Sequence, residues 1–307
     1  MKIFVTGASG WIGSAVVPEL LQAGHQVTGL ARSDASAQAL AKAGAEAERG
    51  TIDDLDLLAK AAAAADGVIH LAFKHDIAFT GDFEGASNAD RAAVDTFGDA
   101  LAGSGKPFVI ASGLLGLAPG RVATEKDGLT PPPSVPGQEG PSARLRTAQA
   151  TLALADRGVR SSVLRLPPTV HGDGDNGFMA ALVGMARQNG NAAYVGDGSS
   201  RWPAVHRLDA AQLFRLAAEK APAGTVLHAV GDEGVAMRAI AEVFGQQLDL
   251  PVVSVPPEDA AERFSFLGGF IALDSPASGT VTEELLDWKP THPGLIEDLE
   301  QGHYFRS

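Results

Sequence analysis

The segment KIFVTGASGWIG, residues 2–13, constrains the fold more than any other part of the chain. Met1–Thr6 is a short apolar run closed by glycine, which predicts a buried strand. A pattern with helical spacing begins directly after the glycines. Gly7 permits a tight turn, Gly10 lets backbone amides approach a phosphate, and Gly13 lets the helix pack closely on the strand. Because a helix start carries partial positive charge, the segment predicts a site for a pyrophosphate.

Short apolar runs then alternate with helical patterns as far as Gly172. The predicted strands are QVTGLAR, GVIHLAF, KPFVIAS and VRSSVLRL, and the predicted helices are SAVVPELLQAGH, DASAQALAKAGA, DLDLLAKAAAAAD, ADRAAVDTFGDALAGSG and RLRTAQATLALADRG. Asp34 is expected to cap the second helix. Thr80–Asp90 and Pro119–Ser142 are rich in Gly, Pro and polar residues, which predicts loops. Strands that alternate with helices predict an α/β fold, a doubly wound parallel sheet covered on both faces.

The pattern is less regular after Gly172, although it still contains helices and short strands. We therefore predict two regions, a dinucleotide-binding Rossmann domain over 1–172 and a smaller substrate-binding cap over 173–307, partly interleaved with the Rossmann core.

Composition excludes several classes of function. The net charge of −13 argues against nucleic acid or an anionic membrane as a partner. The chain has no cysteine, which excludes thiolate chemistry and disulfides, and its eight histidines show no H-x-x-x-H spacing, so no metal is expected. No signal segment and no apolar run of about 18 to 20 residues is apparent. We expect a cytoplasmic monomer or homodimer that acts on a small molecule.

The motif TGASGWIG resembles the TGxxGxxG of the short-chain dehydrogenase/reductase superfamily, in its extended and atypical branch of epimerase/dehydratase-like proteins. Further segments resemble that family in the same order along the chain: RGTIDDLDLL, with Thr51 in place of the usual Asp, then VIHLAF, FVIASG, VLRLPPTVHG, SRWPAVHRLDAAQLF and LLDWKPTHPGLIEDLEQG. The resemblance spans nearly the whole chain and implies a nicotinamide dinucleotide cofactor.

The matched segments imply which residues contact the cofactor. They are Gly7, Ser9, Gly10, Trp11, Ile12, Gly13, Arg32, Ser33, Ile52, Asp53, Leu71, Ala72, Phe73, Pro167 and Val170.

The end of the second strand predicts which dinucleotide binds. An acidic residue there would hold the ribose 2′-hydroxyl of NAD, whereas a basic one accommodates the 2′-phosphate of NADP. This strand ends at Ala31 and continues with Arg32 and Ser33. Arg binds phosphate as a charged fork and Ser adds a hydroxyl donor, so we predict a preference for NADP(H) over NAD(H).

The resembled family uses a Tyr-x-x-x-Lys pair for proton transfer and ribose binding, and this pair is missing. The alignment puts Ser142 at the tyrosine position and Arg146 at the lysine position. The only tyrosines, Tyr194 and Tyr304, lie far away in sequence. Arg146 could bind ribose hydroxyls but cannot relay a proton.

Other residues are candidates for the chemistry. Ser112 ends the FVIAS strand, one or two residues before the position of the family's catalytic hydroxyl. His171 and His206 are candidates because histidine transfers protons near neutral pH. Lys74 follows the predicted strand GVIHLAF at the mouth of the cleft, where it could contact a phosphate.

These features favour an NADP(H)-dependent oxidoreductase that reduces a carbonyl or conjugated carbonyl, with the proton from His171, Ser142 or water. Phe73, Phe79, Phe178 and Trp202 favour a small apolar substrate. A dinucleotide sensor without turnover and a sugar-nucleotide epimerase or dehydratase are the alternatives. Epimerisation is less favoured because removing a proton from an alcohol needs a well-placed base.

Overall fold

The computed structural model describes residues 1–78, 81–118, 120–130 and 140–306. The strands are β1 Lys2–Thr6, β2 Gln26–Ala31, β3 Glu46–Arg49, β4 Gly67–His70, β5 Pro107–Gly113, β6 Arg160–Leu166, β7 Thr169–His171, β8 Ala192–Val195, β9 Arg201–His206, β10 Thr225–His228, β11 Asp232–Ala236 and β12 Val252–Val255. The helices are α1 Gly13–Gln22, α2 Asp34–Ala43, α3 Leu55–Ala64, α4 His75–Ala78, α5 Phe83–Leu101, α6 Gly140–Ala153, α7 Phe178–Asn189, α8 Arg207–Lys220, α9 Met237–Leu248, α10 Ala260–Phe264, α11 Thr280–Leu286 and α12 Leu295–Glu300.

A parallel sheet forms the centre of the molecule. In the described part of the chain it has seven strands in the order β10-β6-β5-β4-β1-β2-β3. The order reverses beside β1, between β4 and β2, which is the arrangement of a doubly wound Rossmann fold. The predicted fold class is therefore confirmed.

Both faces of this sheet are buried, and β1 shows why its sequence is apolar without alternation. Ile3 and Val5 belong to the core beneath α1 and α8, whereas Phe4 belongs to the core on the opposite face beneath α3 and α5. Successive side chains of a strand point to opposite faces, so a strand covered on both sides needs an apolar residue at each position.

The region after Gly172 contributes to both parts of the molecule. One part is a smaller cap with its own core, in which α7 and α9 pack beside the paired strands β8 and β12. The other part returns to the Rossmann core, because β10 pairs with β6 and the apolar face of α8 packs against α1. None of the described helices is both long and apolar enough to cross a membrane.

Local predictions were wrong in three places. The segment predicted as a loop over Thr80–Asp90 is helical from Phe83, where the Asp82 carboxylate accepts from the Gly85 N–H at 2.8 Å. The cap of α2 is Ser33 and not Asp34, because the Ser33 hydroxyl accepts from the Ser36 N–H. Exposed polar β3 forms the sheet edge and had no apolar signal. Most of the predicted loop Pro119–Ser142 lies outside the described residues.

Buried polar contacts join β6 to β10 and to the segment between β5 and α6, and join that segment to α11. Arg165, which is fully buried, donates to the carbonyl oxygens of Asp127 and Gly128 and contacts the His228 ring at 3.2 Å. The Glu125 carboxylate accepts from the Thr282 hydroxyl at 2.6 Å. Burial lowers the pKa of His228 to about 4, so this imidazole is neutral at pH 7.

Gly13 should tolerate no side chain. A Cβ there would lie 2.1 Å from the Gly7 carbonyl oxygen, so Gly13→Ala must separate α1 from the turn. We expect a loss of about 2–4 kcal/mol in the free energy of unfolding, measured by urea denaturation. Gly184→Ala is the matched control: its Cβ would meet open space on α7, and it should be neutral or stabilising by up to about 1 kcal/mol. Equal effects of the two changes would contradict this packing argument.

Mild acid should weaken the fold. His206 and His228 both have folded-state pKa values of about 4, below the value of 6.5 for a free histidine. The unfolded chain takes up protons near pH 6.5 and the folded chain only near pH 4, so stability falls progressively between these limits. Urea denaturation should give a smaller free energy of unfolding at pH 5 than at pH 7. His228→Gln should reduce this difference, and an unchanged free energy at both pH values would contradict it.

Candidate functional site

The glycine turn after β1 is locked against the segment that follows β4. Gly7 has a φ of +65°, and a Cβ on it would lie 2.8 Å from the Ala72 nitrogen. The Leu71 N–H donates to the Thr6 carbonyl oxygen at 3.2 Å, and the Ala72 N–H donates to the Thr6 hydroxyl at 3.3 Å. The residues predicted to line the cofactor therefore meet at one edge of the sheet, where the parallel strands β1 and β4 end.

The same turn leaves backbone donors at the start of α1. The Gly10 N–H bonds to the Gly7 carbonyl oxygen at 3.0 Å, and the Ser14 N–H bonds to the Gly10 carbonyl oxygen at 2.8 Å. No described residue accepts from the N–H of Trp11 or Ile12. Free amides at a helix start beside a turn that has no room for side chains fit the phosphates of a dinucleotide.

Trp11 joins the glycine turn to the strand β7. Its indole N–H donates to the Val170 carbonyl oxygen at 2.8 Å, and the Arg207 guanidinium lies 4.0 Å from the centre of its ring. Ile12 and Val170 both pack against the core under α1. Pro167, just before β7, is buried as well. The strand predicted to run under the nicotinamide is thus attached to the turn predicted to bind the pyrophosphate.

At the end of β2, Ala31 occupies the position where an acidic residue would bind the ribose of NAD, and the charged side chains nearby form ion pairs. Arg32 is exposed and its guanidinium lies 3.3 Å from Asp76. Ser33 uses its hydroxyl to cap α2, which competes with the predicted role as a phosphate donor. Asp34 pairs with Arg49 at 3.0 Å.

The predicted adenine side of the cleft is closed by an ion pair. Lys74 donates to both oxygens of Asp53, at 2.8 and 2.7 Å. Ile52 beside it is buried. Lys74 therefore has a carboxylate partner and contacts the segment predicted to bind adenine.

Beneath the end of β4 lies a buried polar chain that the sequence did not indicate. The His70 ring contacts the Thr6 hydroxyl at 2.6 Å and the Asp90 carboxylate at 3.2 Å. His70 and Asp90 are both almost fully buried. The chain ties β4 to the glycine turn on one side and to α5 on the other.

The orientation of α6 places Ser142 and Arg146, predicted at the tyrosine and lysine positions, away from the buried face of this helix. Its buried side chains are Thr147, Ala148 and Thr151, which face α5 and the sheet. Successive residues of a helix are about 100° apart, so Arg144 falls on this buried stripe, while Ser142 and Arg146 lie on the opposite side. The two are hydrogen-bonded to each other, Arg146 Nη1 donating to Ser142 Oγ at 3.2 Å.

Arg144 is the residue that α6 directs toward the strand ends. Its Nη2 donates to the Ala111 carbonyl oxygen of β5 at 2.9 Å, and its guanidinium lies 4.2 Å from the centre of the Phe73 ring. Phe73 also contacts the rings of His75 and Phe83, at 5.0 and 5.8 Å between centres. Thr147, Ala148 and Thr151 follow Arg144 at positions i+3, i+4 and i+7, which lie on one face of a helix. This spacing of small residues is the one sequence signal for the buried face, and it is weak because two of the three are polar threonines.

Ser112 and His171 have different environments. Ser112 is nearly buried on β5 and shares the sheet face of Phe108 and Ile110, which pack beneath α5 and α6. His171 is fully buried and its Nδ1 lies 2.9 Å from the Asp298 carboxylate of α12. Val170 packs toward the glycine turn, and successive side chains of a strand point in opposite directions. His171 therefore points to the cap, which disfavours it as a proton donor at the cleft.

Three possible metal ligands, His206, Asp209 and His292, come together only in the tertiary structure, with ligand atoms within 4.8 Å of one another. Asp209 accepts from His292 Nδ1 at 2.8 Å and from the backbone N–H groups of Thr291 and His292. His206 accepts from the Leu208 N–H, and burial lowers its pKa to about 4. These hydrogen bonds attach α8 to the segment before α12, which gives the cluster a structural role.

Tyr304, distant in sequence, lies beside the turn after β7. Its hydroxyl donates to Asp175 at 2.8 Å and accepts from the Gly172 N–H at 3.2 Å. Burial and the Asp175 charge raise its pKa well above the usual value. It is therefore a poor proton donor to a substrate and serves to hold this turn. Trp202, predicted near the substrate, is fully buried in the cap core, and Phe79 lies outside the described residues.

Comparison with known proteins gives the family. The model of the NAD dependent epimerase/dehydratase family matches residues 3–229. An uncharacterised protein of Schizosaccharomyces pombe is 45% identical over 306 residues, covering 99% of this chain and 100% of that protein. A 4-hydroxy-2-methyl-3-oxo-4-farnesyl-3,4-dihydroquinoline-1-oxide ketoreductase of Stigmatella aurantiaca is 27% identical over 243 residues, 78% of this chain and 71% of that protein.

Among solved structures, the UDP-glucose 4-epimerase of Thermotoga maritima, with UDP-glucose, has the same fold, with a TM-score of 0.78 and 22% identity over 99% of this chain and 98% of that one. The glycine turn with free amides, the sheet order and the family match agree with one another. The chain belongs to the NAD-dependent epimerase/dehydratase family of short-chain dehydrogenase/reductase proteins and is an NAD(P)-dependent enzyme.

Proposed function

We propose that the protein is an NADP(H)-dependent reductase that acts on a carbonyl or conjugated carbonyl group of a small apolar molecule. The amides of Trp11 and Ile12 would hold the pyrophosphate, Ile52 and Asp53 the adenine, and Pro167 and Val170 the nicotinamide. When bound, the reduced nicotinamide supplies the hydride.

The observation that carries this proposal is Arg144 on the inner face of α6. An epimerase or a dehydrogenase must remove a proton from an alcohol, which needs a base at the reacting oxygen. A guanidinium does not accept a proton at physiological pH, whereas it does stabilise negative charge on an oxygen. The described groups at this end of the cleft therefore suit reduction better than alcohol oxidation. The ketoreductase relative supports the same direction of reaction.

The preference for NADP(H) is supported by charge at the end of β2. The strand ends at buried Ala31, and Asp34, the nearest acid in sequence, is paired with Arg49. Arg32 extends into solvent, where its partner Asp76 is also largely exposed. Since exposed ion pairs contribute little, the Arg32 guanidinium can turn to a 2′-phosphate at small cost.

An apolar substrate is supported by aromatic side chains on both sides of the cleft. The Arg144 guanidinium lies over the Phe73 ring, and Phe83 packs against Phe73. On the cap, Phe178 packs against Phe266 at 6.2 Å between ring centres, and Phe266 is 44% exposed. A substrate with an apolar body and one polar carbonyl would match these surfaces.

Arg32→Ala should weaken NADPH binding about tenfold, because it removes a charged contact to the 2′-phosphate, and should leave NADH binding within about twofold. Calorimetric titration of both cofactors measures the two dissociation constants. Arg157→Ala, which removes a cation paired with Asp99 on the far surface, is the matched control and should change neither. Equal losses for NADPH and NADH in Arg32→Ala would refute the assignment.

Turnover is tested by following NADPH absorbance with a panel of ketones, aldehydes and conjugated carbonyls. We expect consumption of NADPH with apolar members of the panel and slower consumption with NADH. Conversion of UDP-glucose to an epimer without net NADPH consumption would favour the epimerase instead. Tight NADPH binding with no reaction across the panel would favour a sensor.

A further inference from the structure

Arg144 uses fewer of its donors than two other enclosed arginines, Arg165 and Arg215. Arg165 reaches two carbonyl oxygens and the His228 ring, and Arg215 pairs with two glutamates. Among the residues that the structure describes, Arg144 has one hydrogen-bond acceptor, the Ala111 carbonyl oxygen, for its five N–H donors. No carboxylate among the described residues lies within ion-pair distance of it, although the chain carries a net charge of −13.

The unused donors of Arg144 are not sealed inside the protein. The fully buried polar atoms that lack a partner include nitrogens of Arg165, Arg207 and Arg263, but none of Arg144. Arg144 itself is partly exposed. One side of its guanidinium is thus held by β5 and Phe73, and the other side can reach the cleft.

The position of this cation is set from three directions. Phe73 extends from the end of β4, Ala111 lies near the end of β5, and Arg144 lies near the start of α6. The carboxyl ends of parallel strands are where a doubly wound fold binds its ligands. A fixed cation with free donors at this edge fits an anionic oxygen of a ligand.

Burial lowers the pKa of the Arg144 guanidinium, and the nearby negative charge of Asp90 opposes this effect. Arg nevertheless stays protonated in proteins. Burial and the Arg144 charge also lower the pKa of His75 beside Phe73, while Asp76 and Asp90 act in the opposite direction. His75 is therefore mostly neutral at pH 7, and Arg144 supplies the positive charge at this point.

We propose that Arg144 is a catalytic residue, whose guanidinium binds the carbonyl oxygen of the substrate and stabilises the negative charge that develops on it. This proposal rests on the proposed reductase function. The reduced nicotinamide would supply the hydride with both electrons of its broken C–H bond; as the new C–H bond forms at the carbonyl carbon, the π pair of the C=O bond moves to the oxygen. The alkoxide paired with Arg144 then takes a proton from water, and the hydroxide left is neutralised by the buffer. No side-chain acid is required.

The first test compares Arg144→Met with wild type on the best carbonyl of the panel. Loss of an oxyanion donor should lower kcat about a hundredfold or more, with KM changed much less and NADPH affinity unchanged. Arg144→Lys keeps the positive charge but lacks the planar, paired N–H donors of the guanidinium, so it should retain intermediate activity. Arg91→Met, which removes a cation paired with Asp95 on the outer side of α5, is the control and should match wild type. A wild-type kcat in Arg144→Met would overturn the proposal and leave the reductase function standing.

The second test does not depend on turnover. Benzoate carries an apolar ring and a carboxylate that mimics the anionic oxygen, so it should bind the NADP⁺ complex of the wild-type protein. Calorimetry should show binding at least about tenfold weaker for Arg144→Met, because a charged hydrogen bond is lost. Equal affinity, or no binding by the wild type, would overturn the role of Arg144. Arg144-dependent benzoate binding with no turnover on the panel would instead refute the reductase function alone.

Discussion

The close contact of α1 with the turn after β1 is the constraint on which the rest of the structure depends. Gly13 packs against the Gly7 carbonyl oxygen, and Gly7 in turn packs against the backbone of Leu71 and Ala72. These contacts are backbone to backbone, so they leave no adjustable side chain that could absorb an error. They bring the amides at the start of α1 to the same place as the end of β4. The buried chain from Thr6 through His70 to Asp90 then attaches α5 to this point.

Arg165 and Arg144 have different roles, which follow from how their donors are satisfied. Arg165 is surrounded by carbonyl oxygens and fixes the segment around Asp127 in the core. Arg144 is held by one carbonyl oxygen and one aromatic face and keeps donors for a ligand. A partly buried cation with no counter-ion among the described residues is costly, and such a cost is expected at a binding site, where the ligand supplies the missing charge.

Sequence patterns predicted the fold well for strands that are buried on both faces of the sheet, such as β1. They predicted it poorly for elements built from polar residues. The edge strand β3 is exposed throughout, so it has no apolar periodicity to detect. On α6 the buried stripe includes the polar residues Thr147 and Thr151, so apolar periodicity does not reveal the orientation of this helix. The contact of His171 with Asp298 was hidden for a related reason, since the surroundings of a side chain on the short strand β7 depend on which neighbour the strand pairs with.

The sequence alone determined the fold class and the dinucleotide turn, because glycine spacing and apolar runs act through local backbone sterics and burial. It also determined the absence of a Tyr-x-x-x-Lys pair. Only the tertiary structure decided which face of α6 meets the strand ends and therefore that Arg144 lies there. It also brought Tyr304 to the turn at Gly172 across 132 residues of chain. Those placements depend on contacts between distant segments, and no local pattern of residues encodes them.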